Sequence, residues 1–575
     1  MSEAVMGADQ HVPKASGARL PLELIPELAA AVAERAITPW RSAWRRNWFY
    51  RRLLKGKLCD RLLYQPSDLL PRQLERAELL LRGRFRFGAD SVEIQSGSIF
   101  DKPAPSCAFA EALHGFEFLP PLATAGGEPA RVLATNLITQ WIKRYPRYRE
   151  PQWQTQVMAR RLINLFIHGR FVITNSDLVW RSKLFVSLRE QSRLLARIAH
   201  KAPEGMARLE AAAALTLSGA CLDDAPRRLD LGLERFEAEI NAQILPDGGH
   251  INRSPESLLH AFRYLIMVID AAEAMSRPVP ARLLSARDRM APMLRFFRNG
   301  QGTLALFNGG HEGDRNTLSA LLQRDEAGGM PFGFAPHSKF QRLAAAKSYA
   351  VMDVGPLPDG VYANTAHAGC LSFEFSSGAQ RLVVNCGSSP QWDGALRSTA
   401  AHSTVTVADS SMAQVLGWQF ARRLIGPRML GGPHRVDSER VDAAQGTSVS
   451  ASHDGYLRRF GLVHARQLSL SADGARLIGK DRLLPKTGRR GQRAFAIRFH
   501  IHPDIRVTQA QDGGLLLKLP GGEGWRFRCA GEAAIEESIY VGGDSPRRCE
   551  QIVITGRVDA EPVEFVWMFE RMSNV

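Results

Sequence analysis

Two histidines and an asparagine in the middle of the chain have residue types that could support acid–base or metal chemistry. His367 and His402 stand at the starts of short β-type segments, and Asn385 stands near the end of the segment between them. Apolar and polar residues alternate in all three segments, which is typical of half-buried strands. If the strands lie side by side, these polar groups converge on one spot. Alternatively, each histidine is simply solvated or bound by backbone groups.

Length and composition bound the possibilities. A chain of 575 residues is too long for one core, so we expect two or more domains. The net charge of +16 favours a polyanionic partner: nucleic acid, a membrane surface or an acidic polysaccharide. Seven scattered cysteines argue against a disulfide scaffold and a zinc ribbon. No segment has secretory character and no stretch is long enough to span a bilayer, so the sequence predicts a cytosolic, soluble protein.

Residues 1–20 are small and polar, and we expect them to form a disordered lead. Residues 21–128 are predicted to form an N-terminal helical and irregular region. Within it, a run from Trp40 to Arg52 interleaves aromatic and basic residues. This run could stack bases and pair phosphates. We favour an amphipathic helix whose tryptophans pack on the domain, since no recognisable nucleic-acid module surrounds it and no nucleic-acid partner is therefore expected.

The hydrophobic period changes near residue 310. Between residues 129 and 310, seven segments repeat apolar residues three and four apart, which predicts a helical bundle or an (α/α) toroid. Residues 80–128 look irregular and strand-like. From residue 311 to the C-terminus, short alternating segments separated by turns predict an antiparallel β-sandwich. Gln511-Asp-Gly-Gly between two such segments indicates a hairpin.

Several motifs occur in a specific order and resemble those of the heparinase II/III-like polysaccharide lyases. They are Leu245-Pro-Asp-Gly-Gly-His-Ile-Asn-Arg-Ser-Pro255, His367 to Phe373, Val383-Val-Asn-Cys-Gly387, Ala401-His-Ser-Thr-Val405 and Ser452-His-Asp-Gly-Tyr456. The resemblance covers the chain from about residue 110 onward. It implies a toroid followed by a β-sandwich, and β-elimination at a uronic acid in an acidic polysaccharide. A base would remove the proton beside the carboxylate while an acid assists the leaving oxygen.

The resemblance also implies roles for particular residues. It implies catalytic roles for His250, Asn252, Arg253, His402 and Tyr456, and substrate-binding roles for Arg397 and His311. Asn252 and Arg253 would neutralise the uronate carboxylate, and His250 or Tyr456 would transfer the proton. The alternative is that Arg253 pairs with a nearby acid. The chain departs from the family where Ser257 replaces a tyrosine and where residues 205–225 lack asparagine and histidine.

In some relatives a zinc ion is bound in the β-region. The matching residues here are His367 and His402, with Cys386 or, as a poorer ligand, Asn385 as the third ligand for zinc or another divalent metal. The alternative is a metal-free, hydrogen-bonded cluster. Neighbouring strand residues point to opposite faces, so Cys386 faces away if Asn385 faces His367. No other cofactor is expected.

Two functions remain open on this evidence. One is a lyase that cleaves a uronic-acid-containing polysaccharide, such as a glycosaminoglycan-like substrate. The other is a non-catalytic protein that binds an acidic glycan or acts in assembly, with a degenerate lyase site. The location is predicted to be cytoplasmic, with a periplasmic location as the alternative by family analogy. The oligomeric state is left open.

Overall fold

The computed structural model describes residues 22–57, 59–69, 73–225, 227–325, 328–487, 491–543 and 545–572. The predicted lead at residues 1–20 lies outside the described residues. Helices dominate up to residue 322, and antiparallel sheets dominate beyond it. No described helix is long and apolar enough to cross a bilayer.

The N-terminal part is made mainly of helices both inside and outside residues 129–310, the range in which apolar periodicity predicts them. They are α1 Ile25–Arg46, α2 Trp48–Leu53, α3 Leu74–Leu81, α4 Cys107–His114, α5 Leu119–Ala125, α6 Gly127–Arg144, α7 Thr155–Ile167, α8 Gly169–Ile173, α9 Leu178–Ile198, α10 Met206–Cys221, α11 Arg227–Gln243, α12 Pro255–Ala274, α13 Ala281–Phe297 and α14 Arg315–Leu322. The side chains of Asp177, Ser254 and Asp314 accept backbone N–H groups at the starts of α9, α12 and α14.

Helix α10 lies at the centre of this region and packs against α7, α11 and α12. Two glycines let α10 and α11 approach closely. A Cβ atom on Gly219 would lie 2.3 Å from the backbone nitrogen of Leu229, and one on Gly232 would lie 2.5 Å from Cα of Thr216. The pairing of these helices therefore depends on the absence of side chains at the two positions.

The C-terminal part is built mainly from strands. The strands of the whole chain are β1 Arg84–Phe87, β2 Asp90–Glu93, β3 Phe334–Ala335, β4 Phe340–Ala345, β5 Ser348–Asp353, β6 Phe373–Ser377, β7 Gln380–Val384, β8 Val405–Val407, β9 Ala413–Val415, β10 Met429–Gly431, β11 Val436–Ala443, β12 Gly446–His453, β13 Leu462–Ser471, β14 Arg476–Pro485, β15 Arg493–Ile501, β16 Arg506–Gln509, β17 Leu515–Lys518, β18 Gly524–Cys529, β19 Ala533–Tyr540, β20 Arg547–Val558 and β21 Val563–Arg571. Short helices interrupt them: α15 Asp393–Leu396, α16 Gln419–Ile425 and α17 Leu457–Phe460.

Two large antiparallel sheets account for most of these strands. One has the order β11-β12-β13-β14-β21-β18-β17-β16; the other has the order β19-β20-β15-β7-β6-β5-β4-β3, with β8 also paired to β15. Their inner faces share one apolar core, in which the rings of Phe373 and Trp567 stack with centroids 5.5 Å apart. Burial alternates strictly along β13, as its sequence pattern predicts. The predicted hairpin is confirmed as β16 and β17.

Two local predictions are wrong. Residues 107–125, expected to be irregular, form α4 and α5. Ser106 caps α4, and Pro120 and Pro121 lie in the first turn of α5, where a missing N–H group is tolerated. The expectation that the N-terminal tryptophans pack on the domain also fails, because Trp40, Trp44 and Trp48 are exposed.

Candidate functional site

The loop between α11 and α12 holds the first group of predicted residues in a closed network. His250 is buried, with Nδ1 2.6 Å from Oδ1 of Asn252 and Nε2 3.2 Å from Oε1 of Gln243. The amide of Asn252 donates to Oγ of Ser257 at 2.8 Å. Burial lowers the pKa of His250 to about 4. His250 is therefore neutral at pH 7, and both its ring and the side-chain amide of Asn252 are occupied by neighbours.

Arg253 joins this loop to the first strands of the sheet region. Its guanidinium donates to the carbonyl oxygens of Ser338 at 2.9 Å, Pro356 at 2.6 Å and Lys339 at 3.1 Å. It also forms an ion pair with Asp353. The side chain is buried, so these partners occupy the donors that a substrate carboxylate would need. The alternative reading from sequence, pairing with a nearby acid, describes this geometry.

His367 and His402 come together, as their motifs predict. Nδ1 of His367 lies 3.1 Å from Nε2 of His402, and Nδ1 of His402 lies 2.8 Å from the carbonyl oxygen of Ser398. A carbonyl only accepts, so His402 donates from Nδ1 and accepts from His367 through Nε2. Burial lowers the pKa of both histidines, that of His402 to about 4. The pair is a neutral, buried hydrogen-bonded unit.

Asn385 and Cys386 do not complete that pair. The Asn385 amide donates to the carbonyl oxygen of Leu306 at 3.0 Å, and its oxygen accepts from the backbone N–H of Ser403. Sγ of Cys386 points the other way and lies 3.4 Å from Nδ1 of His500. Asn385 and Cys386 directly follow β7, and they face opposite sides as continued strand alternation would place them.

The ligand set suggested from sequence, His367 with His402 and Cys386, is therefore not brought together. Within the described ranges, no group of three or more histidine, cysteine, aspartate or glutamate side chains is placed to hold a metal ion. Structural zinc needs four protein ligands and catalytic zinc needs three. The residues present do not fit a zinc ion.

Arg397 and Tyr456 are equally enclosed. Arg397 donates to the carbonyl oxygens of Ala366 at 2.9 Å, Pro427 at 2.7 Å and Ala363 at 3.1 Å. The hydroxyl of Tyr456 donates to the carbonyl oxygen of Val405 at 2.7 Å. Burial raises the pKa of this phenol above its ordinary value. Arg397 thus ties several loops together, and Tyr456 ties its turn to β8.

His311 lies in a different setting, at the surface beside α12. Its Nδ1 is 3.3 Å from Oε2 of Glu256, and Nε2 of His260 is 3.9 Å from the other carboxylate oxygen. Burial raises the pKa of Glu256, but hydrogen bonds from the two histidines outweigh that effect and lower it. Both imidazoles remain more than two-fifths exposed. Glu256 is thus held by two imidazoles that are both accessible to solvent.

A cleft of about 660 Å³ lies beyond His260, in the helical region. The hydroxyl of Tyr264 donates to Oε1 of Glu210 at 2.7 Å, and Arg160 bridges Glu210 to Glu117. Arg263 lies over the Tyr264 ring, 5.0 Å from its centroid. Burial and the Glu210 carboxylate raise the pKa of Tyr264.

None of these cleft residues was predicted as a site residue from the sequence. The available signal was spacing: Glu256, His260 and Tyr264 recur every four residues along α12, which places them on one helix face. Tyr264 is two turns from Ser257, the position where the family tyrosine is expected. The motifs instead indicated the loop between α11 and α12, whose polar side chains are already bound to neighbouring groups.

Comparison with known proteins gives consistent results. Residues 327–568 match the family model described as Heparinase II/III-like, C-terminal. A curated relative from Caulobacter vibrioides, "FtsZ-localized protein C", is 32% identical over 534 residues, covering 90% of this chain and 92% of the relative.

Solved structures agree on the fold. The crystal structure of heparinase III matches with a TM-score of 0.67 at 15% identity, covering 95% of this chain and 92% of that one. A mutant heparan sulfate lyase from Pedobacter heparinus matches with a TM-score of 0.59 at 14% identity, covering 96% of this chain and 91% of that one. At these identities the likeness concerns the fold alone.

Proposed function

Because the chain belongs to the heparinase II/III-like family, we propose that it is a non-catalytic assembly protein that binds an acidic glycan through a polysaccharide-lyase-like fold. Elimination needs a free donor for the uronate carboxylate and an accessible acid–base pair. The state of Arg253 carries the proposal: three carbonyl oxygens and Asp353 already occupy its guanidinium. His250, His402 and Tyr456 are also buried, so none of these groups reaches a substrate without rearrangement.

We propose the finer architecture as well: residues 129–310 form an (α/α) toroid and residues 311–575 form a β-sandwich. The successive packing of α10 against α11 and α12, and of α12 against α13, supports the toroid. The single apolar core shared by the two large sheets supports the sandwich.

The partner in assembly is proposed to be FtsZ. The name of the Caulobacter relative locates that protein at FtsZ, and 32% identity over 90% of this chain supports a shared role. Co-sedimentation of the full chain with FtsZ polymers tests this part of the proposal. Pelleting that depends on FtsZ polymerisation is expected. A chain that stays in the supernatant with polymerised FtsZ would exclude this partner.

Glycan binding is assigned to the helical cleft. Arg160 is balanced by Glu117 and Glu210, whereas Nε of Arg263 is buried with no hydrogen-bond partner among the described atoms. With His260 beside it in the cleft lining, Arg263 can bind a carboxylate or sulfate. Fluorescence anisotropy of labelled heparan, alginate and hyaluronan fragments measures this binding. We expect salt-sensitive binding of at least one glycan and no turnover.

Cleavage by elimination is the second candidate, and the contents of the cleft favour it. His260 would take the proton beside the carboxylate. Tyr264, held protonated by its raised pKa, would protonate the leaving glycosidic oxygen, and its buried hydroxyl would have to turn away from Glu210 to do so. The electrons of the broken C–H bond form the C=C bond as the C–O bond breaks. Elimination through His250, Asn252 and Arg253 would instead require the loop at residues 245–254 to open.

The two candidates are separated by following the absorbance of the unsaturated uronate product across the same glycans. Silence with every glycan that binds supports the assembly protein. Product formation that Tyr264→Phe and His260→Ala both abolish would establish the lyase. His402→Ala, at a buried histidine of the sheet region, is then the matched control. This variant should still form the product.

A further inference from the structure

Helix α1 has its apolar face directed away from the protein. Ile25, Val32, Ile37, Trp40 and Trp44 are all exposed, and the alanines at positions 29, 33, 36 and 43 are exposed beside them. At 100° per residue these positions form one continuous stripe about 140° wide. A surface helix of a soluble domain normally has the opposite arrangement.

The contacts on the opposite face hold this orientation. Leu28 is buried against Ala421 and Ile425 of α16. Arg45 donates to the hydroxyl of Tyr148 at 2.9 Å, and Ser42 donates to Glu150 at 3.0 Å. The helix is therefore fixed to the body at both ends by its polar side and by Leu28, and the apolar stripe is the face that remains outside.

Aromatic and basic residues gather at the C-terminal end of the stripe. Trp40 is 80% exposed, and Trp48 and Phe49 at the start of α2 are 58% and 64% exposed. Arg46 and Arg52 are exposed among them, and Arg52 lies over the Trp48 ring. Tryptophan and arginine together favour the boundary between water and lipid, where the ring inserts and the guanidinium meets the headgroup.

A second element extends the same surface. Helix α16, which packs on α1, begins beside Trp418 and carries Phe420, both more than half exposed. Arg422 and Arg423 follow on α16 and are also exposed. Aromatic residues next to arginines thus occur on two neighbouring helices that are far apart in sequence.

We propose that α1, α2 and the start of α16 form a docking surface for an anionic lipid bilayer. Helix α1 lies in the plane of the membrane, along about 33 Å for its 22 residues. The stripe enters the boundary between headgroups and acyl chains, and the arginines pair with lipid phosphates. This surface is separate from the glycan cleft and does not depend on the proposed function.

The charge distribution selects lipid over a second copy of the chain. A symmetric pair of these surfaces would bring Arg46, Arg52, Arg422 and Arg423 of both copies together, and like charges repel. The nearest acids on α1 are already used, Glu34 by Arg41 and Glu27 by Arg428. An anionic bilayer neutralises these arginines and covers the tryptophans at the same time.

Vesicle flotation with the full chain tests the proposal. Vesicles of phosphatidylcholine alone are compared with vesicles that also contain phosphatidylglycerol. We expect the chain to float with the anionic vesicles. Trp40→Ser with Trp44→Ser should weaken partitioning on the order of a hundredfold, and Arg46→Gln with Arg52→Gln should weaken it about fivefold per arginine.

The matched control is Leu178→Ser with Val179→Ser, which removes two exposed apolar side chains from α9. Partitioning of this variant should equal that of the unaltered chain. All of these positions are exposed, and an unchanged unfolding midpoint verifies that each variant folds. Failure to float with either vesicle, or flotation that the tryptophan variant leaves unchanged, overturns the proposal. A dimer that forms without lipid, and that the same tryptophan variant dissociates, would also overturn the proposal.

Discussion

Polar side chains are buried and hydrogen-bonded in the sheet region, whereas in the helical cleft some of them are open to water. In the sheet region and the loop that joins it, Arg253, Arg397, His367 and His402 are buried and bound to carbonyl oxygens or to one another. In the cleft, His260 is open to water and Arg263 faces a space of about 660 Å³. Similar residue types thus stabilise the fold in one place and remain available for binding in the other.

The difference shows what burial does to a motif. An enclosed arginine donates to backbone oxygens, because each unsatisfied carbonyl or guanidinium would be costly there. An enclosed histidine loses its charge, since desolvation disfavours the cation. In this chain, the side chains of the motifs that identify the family therefore hold loops together.

The largest expected effect comes from removing the arginine that links the two regions. Arg253→Ala leaves the buried Asp353 carboxylate without its partner and should lower the free energy of unfolding by about 3–5 kcal/mol. Urea unfolding followed by circular dichroism measures it. Arg435→Ala, at an exposed arginine of the sheet region, is the control and should change the value by less than about 0.5 kcal/mol. Equal effects of the two variants would contradict the role assigned to Arg253.

The second prediction concerns pH. His250 and His402 have folded-state pKa values of about 4, below the ordinary value of 6.5, so the unfolded chain binds more protons in this range. Stability is then full above pH 6.5 and falls as the pH drops toward 4. Each histidine should remove about 2 kcal/mol between pH 7 and pH 5.

Unfolding midpoints at pH 7 and pH 5 check this prediction, with His402→Gln expected to reduce the difference between them. His434→Gln is the matched control, because His434 is exposed to water. If His402→Gln left the pH dependence unchanged, the buried neutral state of His402 would be refuted.

A third variant tests the packing of α10 against α11. Gly232→Ala places a methyl group against the backbone of α10 and should destabilise the chain by about 1–3 kcal/mol. Thermal unfolding measures the loss. Gly417→Ala adds the same methyl group where no atom lies within 4 Å, so its unfolding curve should overlay that of the unaltered chain. A neutral Gly232→Ala would mean that α10 and α11 separate at little cost.

The smallest expected effect comes from two arginine variants that distinguish glycan binding from the stability of the fold. Arg263→Gln should weaken glycan binding about tenfold, the typical value of one charge-assisted contact, with little change in unfolding. Arg397→Gln should do the reverse, because its donors serve carbonyl oxygens inside the sheet region. Anisotropy and urea unfolding on the same two variants provide the comparison. Weaker glycan binding by Arg397→Gln alone would reverse the assignment.

Much of the fold follows from local pattern. The helical periods predicted consecutive helices between residues 129 and 310, where α7, α9 and α13 lie, and the alternation around Gln511-Asp-Gly-Gly predicted the β16–β17 hairpin. The pattern failed at residues 107–125, where prolines at the first turn of α5 looked like breaks. It failed again at Trp40 and Trp44, because a helix period shows which residues share a face and not which way that face points.

The candidate site was predicted only in part for a related reason. The motifs correctly brought His367 and His402 together. They could not reveal that the donors of Arg253 end on Ser338, Lys339 and Pro356, because these acceptors lie more than 80 residues away. Nor could they show that Cys386 contacts His500, since that contact depends on the pairing of β7 with β15.

By itself, the amino-acid sequence determined the family, the change from helices to antiparallel strands and the positions of most elements, because these depend on residues close together along the chain. The tertiary structure decided which polar groups are buried, which are charged and which face of α1 meets water. Burial and hydrogen bonding depend on distant segments that only folding brings together. For that reason, the same motif can belong to a catalytic site in one chain and to a structural joint in another.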